Sequence, residues 1–121
     1  MAKAVESLGS CSKINNKFAF EEAFSIAKKF AQMVHDELDP QAEVYLFGSA
    51  IRGENHKNSD IDIAVVSRVF TENVVANGLI VDRLAYALSA NIDAQAIIFE
   101  DWVNTTPFTD EIKNKGRLVS L

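Results

Sequence analysis

The residues best suited to chemistry lie between Leu46 and Ser67, in LFGSAIRGENHKNSDIDIAVVS. Asp60 and Asp62 are two positions apart in a segment rich in β-branched residues. In a strand, side chains at that spacing project from one face, with Cα atoms roughly 6.6 Å apart. Two carboxylates so placed can share hard cations. Asp93, in NIDAQAII, repeats the pattern: Ile92, Ala94, Ala96 and Ile98 take one face and Asp93 the other. If the two segments are neighbouring strands, Asp60, Asp62 and Asp93 form one acidic cluster. Close carboxylates raise one another's pKa unless a cation offsets their charge. Magnesium suits such a site, because it takes oxygen ligands and keeps waters and phosphate oxygens. Upstream, Gly48 and Ser49 follow an apolar segment directly. Glycine there lets backbone approach a ligand closely. If Ser49 opens a helical turn, its free N–H groups and hydroxyl can hold a phosphate, and Arg52 can add a charged fork. An anion cradle followed by a cation site is what a metal-bound triphosphate requires. Each piece alone is common: a D-x-D pair arises often by chance, and Gly-Ser after a strand is usually a turn. Their order and spacing together carry the reading.

These side chains need elements to position them. Residues 1–16 are polar and without periodicity, and read as a flexible N-terminal arm. Residues 17–121 read as one domain. Phe20, Phe24, Ala27, Phe30, Ala31, Val34 and Leu38 recur at helical spacing, and Asp39-Pro40 ends that helix. Glu43 to Phe47 and Ile61 to Val66 read as strands, separated by a polar loop from Gly48 to Ser59 with room for one helical turn. Thr71 to Ala90 suits a helix with Val75, Leu79, Leu84 and Leu88 near one face. A third strand spans Ile92 to Phe99. A short helix over Thr109 to Lys115 stops at Gly116, and Arg117 to Leu121 form a last strand. This order gives an α/β or α+β fold, a small mixed sheet flanked by helices.

Composition narrows the function classes. Hydrophobic residues make up 48% of the 121, enough for a core, and the net charge of -5 argues against a general nucleic-acid binder. No apolar run reaches the ~18 residues of a membrane span. The start lacks the apolar core of a secretion signal, so the expected location is cytoplasmic. The single cysteine, Cys11, allows no disulfide within the chain. His56 and Lys57 read as solvated loop residues, His35 as favourable near a helix end, and Trp102 as either a core edge or a partner contact.

Gly48-Ser49, ten intervening residues and Asp60-Ile61-Asp62 resemble the signature of the DNA polymerase β-like nucleotidyltransferase superfamily. GSAIRG followed by NSDIDIAVV looks like its minimal nucleotidyltransferases. NIDAQAI stands where the family places a third carboxylate, and EIKNKGRLVSL looks like its closing helix and strand. The resemblance covers roughly residues 18–121. It departs at Ala50 and Ile51, where the family often has a second basic residue. The resemblance implies the nucleotidyltransferase fold, two Mg2+ ions and transfer of a nucleoside monophosphate, with ATP as the default substrate. Asp60 and Asp62 would hold both ions, and Asp93 would hold one and take the acceptor's proton. Minimal nucleotidyltransferases often occur beside a small helical HEPN protein in toxin–antitoxin pairs. The expected acceptor is therefore a hydroxyl on a HEPN-type partner protein. The alternatives are neutralisation of that partner by masking and nucleotidylation of a small molecule, which normally needs an added acceptor-binding domain.

Overall fold

The computed structural model describes residues 8–53, 60–88 and 91–119, with side chains from Phe20 onward. Helix α1 spans Leu8–Glu37. It begins inside the segment 1–16 expected as an arm, and Cys11 falls within its backbone; residues 1–7 lie outside the described residues. The buried stripe of α1 is Ala23, Ala27, Phe30, Ala31 and Val34, at the spacing expected of an amphipathic helix. At its end, the N–H groups of Leu38 and Asp39 both donate to the Val34 carbonyl, and Pro40 cannot continue the helix. Near this end His35 Nε2 lies 2.8 Å from the Ala42 carbonyl.

Strand β1 (Glu43–Phe47) leads through the single turn α2 (Ser49–Arg52) and on to β2 (Ile61–Ser67). Helix α3 (Val74–Leu88) carries the chain over to β3 (Ile92–Ile98). Two short helices follow, α4 (Phe99–Asn104) and α5 (Pro107–Lys115), and then β4 (Arg117–Leu118). The sheet order is β3-β2-β1-β4. β1 is antiparallel to β2 and β4, whereas β2 and β3 run parallel. The expected small mixed sheet flanked by helices is what forms. β4 is shorter than expected, although Val119 N–H still donates to the Val44 carbonyl.

Each sheet face has its own core. Val44, Leu46, Ile61, Ile63, Val65 and Ala94 pack with α1 and α3. Ala64, Val66 and Ile97 pack with Ile112 of α5, and Tyr45, Phe47, Phe99 and Trp102 flank them. Trp102 is therefore a core edge: its ring lies 5.0 Å from that of Tyr45. Burial and the bond to Glu43 push the Tyr45 hydroxyl pKa up to about 12. α4 was not anticipated, because six residues are too few to show a helical period. α5 is held by a capping box, in which Thr106 and Thr109 bond each other's side chains and backbone N–H groups.

Helix α3 keeps half of the face assigned from sequence, because Leu84 and Leu88 pack against the core. Its buried residues are Asn77, Val81 and Ala85, while Val75 and Leu79 are 73% and 59% exposed. Apolar residues occur all round this helix, so periodicity alone did not pick the inner side. Its start also shifts. Asn73 caps it by accepting from Ala76 N–H, and the Asn77 amide folds back on the Thr71 backbone. Val81→Ala should therefore cost about 2 kcal/mol of stability, and Leu79→Ala less than about 0.5 kcal/mol. Urea denaturation of the two variants measures both.

A further link ties the α1–β1 corner to the far end of β2. Ser67 Oγ donates to Asp39 at 2.6 Å, and Gln41 N–H donates to the same carboxylate. These bonds hold the Asp39 pKa below its ordinary value. A depressed carboxylate pKa stabilises the fold above its unfolded pKa, and that contribution is lost as pH falls through the folded value. Ser67→Ala should raise the Asp39 pKa, read by NMR titration, and lessen the loss of stability on acidification.

Candidate active site

The acidic residues meet at one end of the sheet. In the parallel ladder Asp62 stands opposite Asp93, and in the antiparallel ladder Phe47 stands opposite Asp62. Phe47, Asp62 and Asp93 thus form one row across three strands. Side chains so related lie about 4.5–5.5 Å apart at Cβ. Ile61 and Ile63 enter the α1 side of the sheet, which leaves Asp62 on the opposite face. Alternation in β3 does the same for Asp93, whose carboxylate accepts a hydrogen bond from Gln95 Nε2 at 3.0 Å. Asp60 precedes β2 and is exposed.

The turn after β1 closes over Asp62. Gly48 has φ 78°, which a side chain rarely tolerates, and a Cβ built on it would lie 2.1 Å from Asp62 Oδ2. Glycine is therefore required here twice over. α2 begins at once, with Ile51 and Arg52 N–H groups donating to the Gly48 carbonyl. Ala50 anchors the turn in the α1 core, and Gly53 ends it in the left-handed conformation. The Ser49 N–H donates to the Asp62 carboxylate.

Asp62 is the electrostatic centre of the site. Burial, then the charge of Asp93, then that of Asp60 raise its pKa, while the Ser49 N–H and Arg52 oppose the rise. Asp62 therefore feels both of the other carboxylates. Even so, among the described residues no three acidic, histidine or cysteine side chains are gathered into a closed metal-binding group. Mutual repulsion favours such spreading. The donors do fit a hard divalent cation: they are carboxylate oxygens, and a cation's charge would offset what raises the Asp62 pKa.

A cleft of about 490 Å³ contains this row, lined by Phe47, Gly48, Arg52, Asp62, Asp93, Gln95, Phe108 and Glu111. Four of the six residues singled out from sequence, Gly48, Arg52, Asp62 and Asp93, thus share one wall. Ser49 and Asp60 stand beside it and act on it through Asp62. His56 and Lys57 lie outside the described residues. Phe47, Gln95, Phe108 and Glu111 were missed. Phe47 and Gln95 follow from register, which local sequence does not supply. Phe108 and Glu111 come from α5, far along the chain; Glu111 opens the EIKNKGRLVSL segment likened to the family's closing helix, but that likeness assigned it no role. A larger hollow of about 540 Å³ lies at the other end of the strands, beside Glu43, Ser67 and Arg68. It lacks the paired carboxylates, so volume alone does not locate the chemistry.

Comparison with known proteins agrees with the fold. Residues 27–117 match the model of the nucleotidyltransferase domain. The protein adenylyltransferase MntA of Shewanella oneidensis is 37% identical over 65 residues, which cover 54% of this chain and 46% of that protein. The chain thus spans about half the length of that relative. A candidate protein adenylyltransferase of Methanocaldococcus jannaschii is 29% identical over 99 residues, covering 78% of this chain and 96% of its own. Among solved structures, a candidate nucleotidyltransferase from Sulfolobus solfataricus shares the fold, with a TM-score of 0.64, 24% identity, and 98% and 89% of the two chains covered. A crystal structure of a toxin–antitoxin with AMP-PNP aligns with a TM-score of 0.51 at 27% identity, covering 74% of this chain and 68% of that one. With most of its length matched by the family model and the paired carboxylates set beside the Gly48 turn, this chain belongs to the nucleotidyltransferase domain family.

Proposed function

We propose that this chain transfers AMP from ATP to a hydroxyl on a partner protein, with the α–β phosphoanhydride bond broken and pyrophosphate released. The observation that carries the reading is the register of Asp62 with Asp93 beside the Gly48 turn, in a cleft that also holds Arg52. Gly48, Ser49 and Arg52 would receive the phosphates. Asp60, Asp62 and Asp93 would hold Mg2+ as two ions. When bound, these ions would polarise the reacting phosphate and lower the pKa of the attacking hydroxyl. Asp93, the more exposed member of the pair, would accept the acceptor's proton. Arg52 would offset charge on the phosphates.

A protein acceptor is supported by the relatives named as protein adenylyltransferases and by the toxin–antitoxin neighbour with AMP-PNP. It is also supported by the net charge of -5, which would repel a nucleic-acid acceptor. The partner we favour is of HEPN type, in keeping with the family resemblance. The setting would be the cytoplasm, and no helix among the described residues is long and apolar enough to cross a membrane. The catalytic domain would be residues 17–121, with α1 extending back from it to Leu8. The toxin–antitoxin neighbour also favours a second reading, in which the chain neutralises the partner by masking it.

Two experiments test this. Co-expression with a HEPN-type partner protein, followed by mass spectrometry, should show a gain of AMP mass on the partner that Asp60→Asn abolishes. A partner left unmodified yet fully inhibited by the Asp60→Asn chain would establish masking instead. Calorimetry with ATP and magnesium should show binding that Gly48→Ala weakens at least tenfold. The new methyl group would collide with Asp62, and its backbone conformation costs on the order of 1 kcal/mol or more. A Gly48→Ala chain that binds ATP like the original would overturn the assignment of this turn to the phosphates.

A further inference from the structure

The cleft has an aromatic end that the phosphates and carboxylates leave unexplained. Phe108, in the first turn of α5, is 45% exposed and lines the cleft together with Gly48 and Arg52. Its ring meets Phe47 at 5.6 Å between centroids and 79° between planes. An edge-on contact of this kind uses the edge of one ring and a face of the other, so the pair keeps aromatic surface turned outward. Glu111 lies one helical turn further on, on the same side of α5, and lines the same cleft. The helix that carries them is anchored at two points. Thr106 and Thr109 close the capping box beneath it, and Ile112 is wholly buried against the sheet.

An anion-accepting end and an apolar, flat end in one hollow select a ligand with both characters. At about 490 Å³ the hollow falls within the range of small-molecule sites. Resting on the reading that this cleft receives a nucleoside triphosphate, we propose that Phe108 is the platform on which the base stacks and that Glu111 accepts a hydrogen bond from its rim. Every base offers a π face, and purines offer the larger one. A carboxylate accepts and does not donate. The 6-amino group of adenine satisfies Glu111, whereas unsubstituted purine, which has neither an amino group nor a ring N–H, leaves it without a donor. Base preference is thereby set by α5, away from the carboxylates that do the chemistry.

The test compares ATP, UTP, purine riboside triphosphate and inorganic tripolyphosphate, each with magnesium, by calorimetry on the full chain. The original chain should bind ATP more tightly than the other three. Phe108→Ala should weaken ATP about tenfold and leave tripolyphosphate within about twofold, while Phe108→Trp should retain ATP binding. Glu111→Ala should weaken ATP about threefold or more without changing purine riboside triphosphate. NMR should show ring-current upfield shifts of the adenine protons that disappear in Phe108→Ala. ATP binding and proton shifts unaltered by Phe108→Ala would overturn the stacking role while the nucleotide reading stands. If no probe, tripolyphosphate included, bound the original chain, the nucleotide reading itself would fall.

Discussion

Asp62 and Asp93 face each other across a parallel ladder, and like charges at that distance repel. A fold that places two carboxylates in register must compensate for them nearby. Here the compensation is local: the Ser49 N–H bonds Asp62, and Arg52 contributes positive charge. It remains incomplete, because the Asp62 pKa stays above its ordinary value. A raised carboxylate pKa means that ionisation works against folding, and stability from this group is lost as pH rises through the folded value. A divalent cation would reverse that sign. A cation held there would thus stabilise the strand ends as well as the cluster.

The surrounding architecture follows from this constraint. Strands β2 and β3 must be parallel and aligned, which requires the α3 crossover. The carboxylates must sit on the face that α1 and α3 do not cover, and they do so because Ile61, Ile63 and Ala94 occupy the covered one. The turn after β1 must come close enough to donate an N–H, and only a residue without Cβ fits there. On the carboxylate face, α4 and α5 bury the row of Val66 and Ile97 and stop short of the row of Asp62 and Asp93.

Much of this was legible in the residues. The alternation around Asp62 and Asp93 assigned them to the faces they occupy, and Gly48-Ser49 marked the turn that closes over them. What could not be read depends on contacts between distant segments. The inner face of α3 was placed correctly at Leu84 and Leu88 but misjudged at Val75 and Leu79, because apolar or aromatic residues such as Val74, Val75, Leu79 and Tyr86 are exposed. Helix α4 was too short to announce itself. Phe108 and Glu111 enter the cleft only because α5 folds back across the sheet: the helix itself was legible over Thr109 to Lys115, but not which strands its exposed side would meet.

Helix α5 divides its residues between two duties. Thr109 and Ile112 face inward and fasten it, while Phe108 and Glu111 face the cleft and are exposed. Because the two sets barely overlap, the cleft-facing positions can change with little cost to the fold. The carboxylate row, fixed by strand register, has no such freedom. Lineages descending from one such domain can therefore diverge in what they recognise while inheriting the same chemistry unchanged.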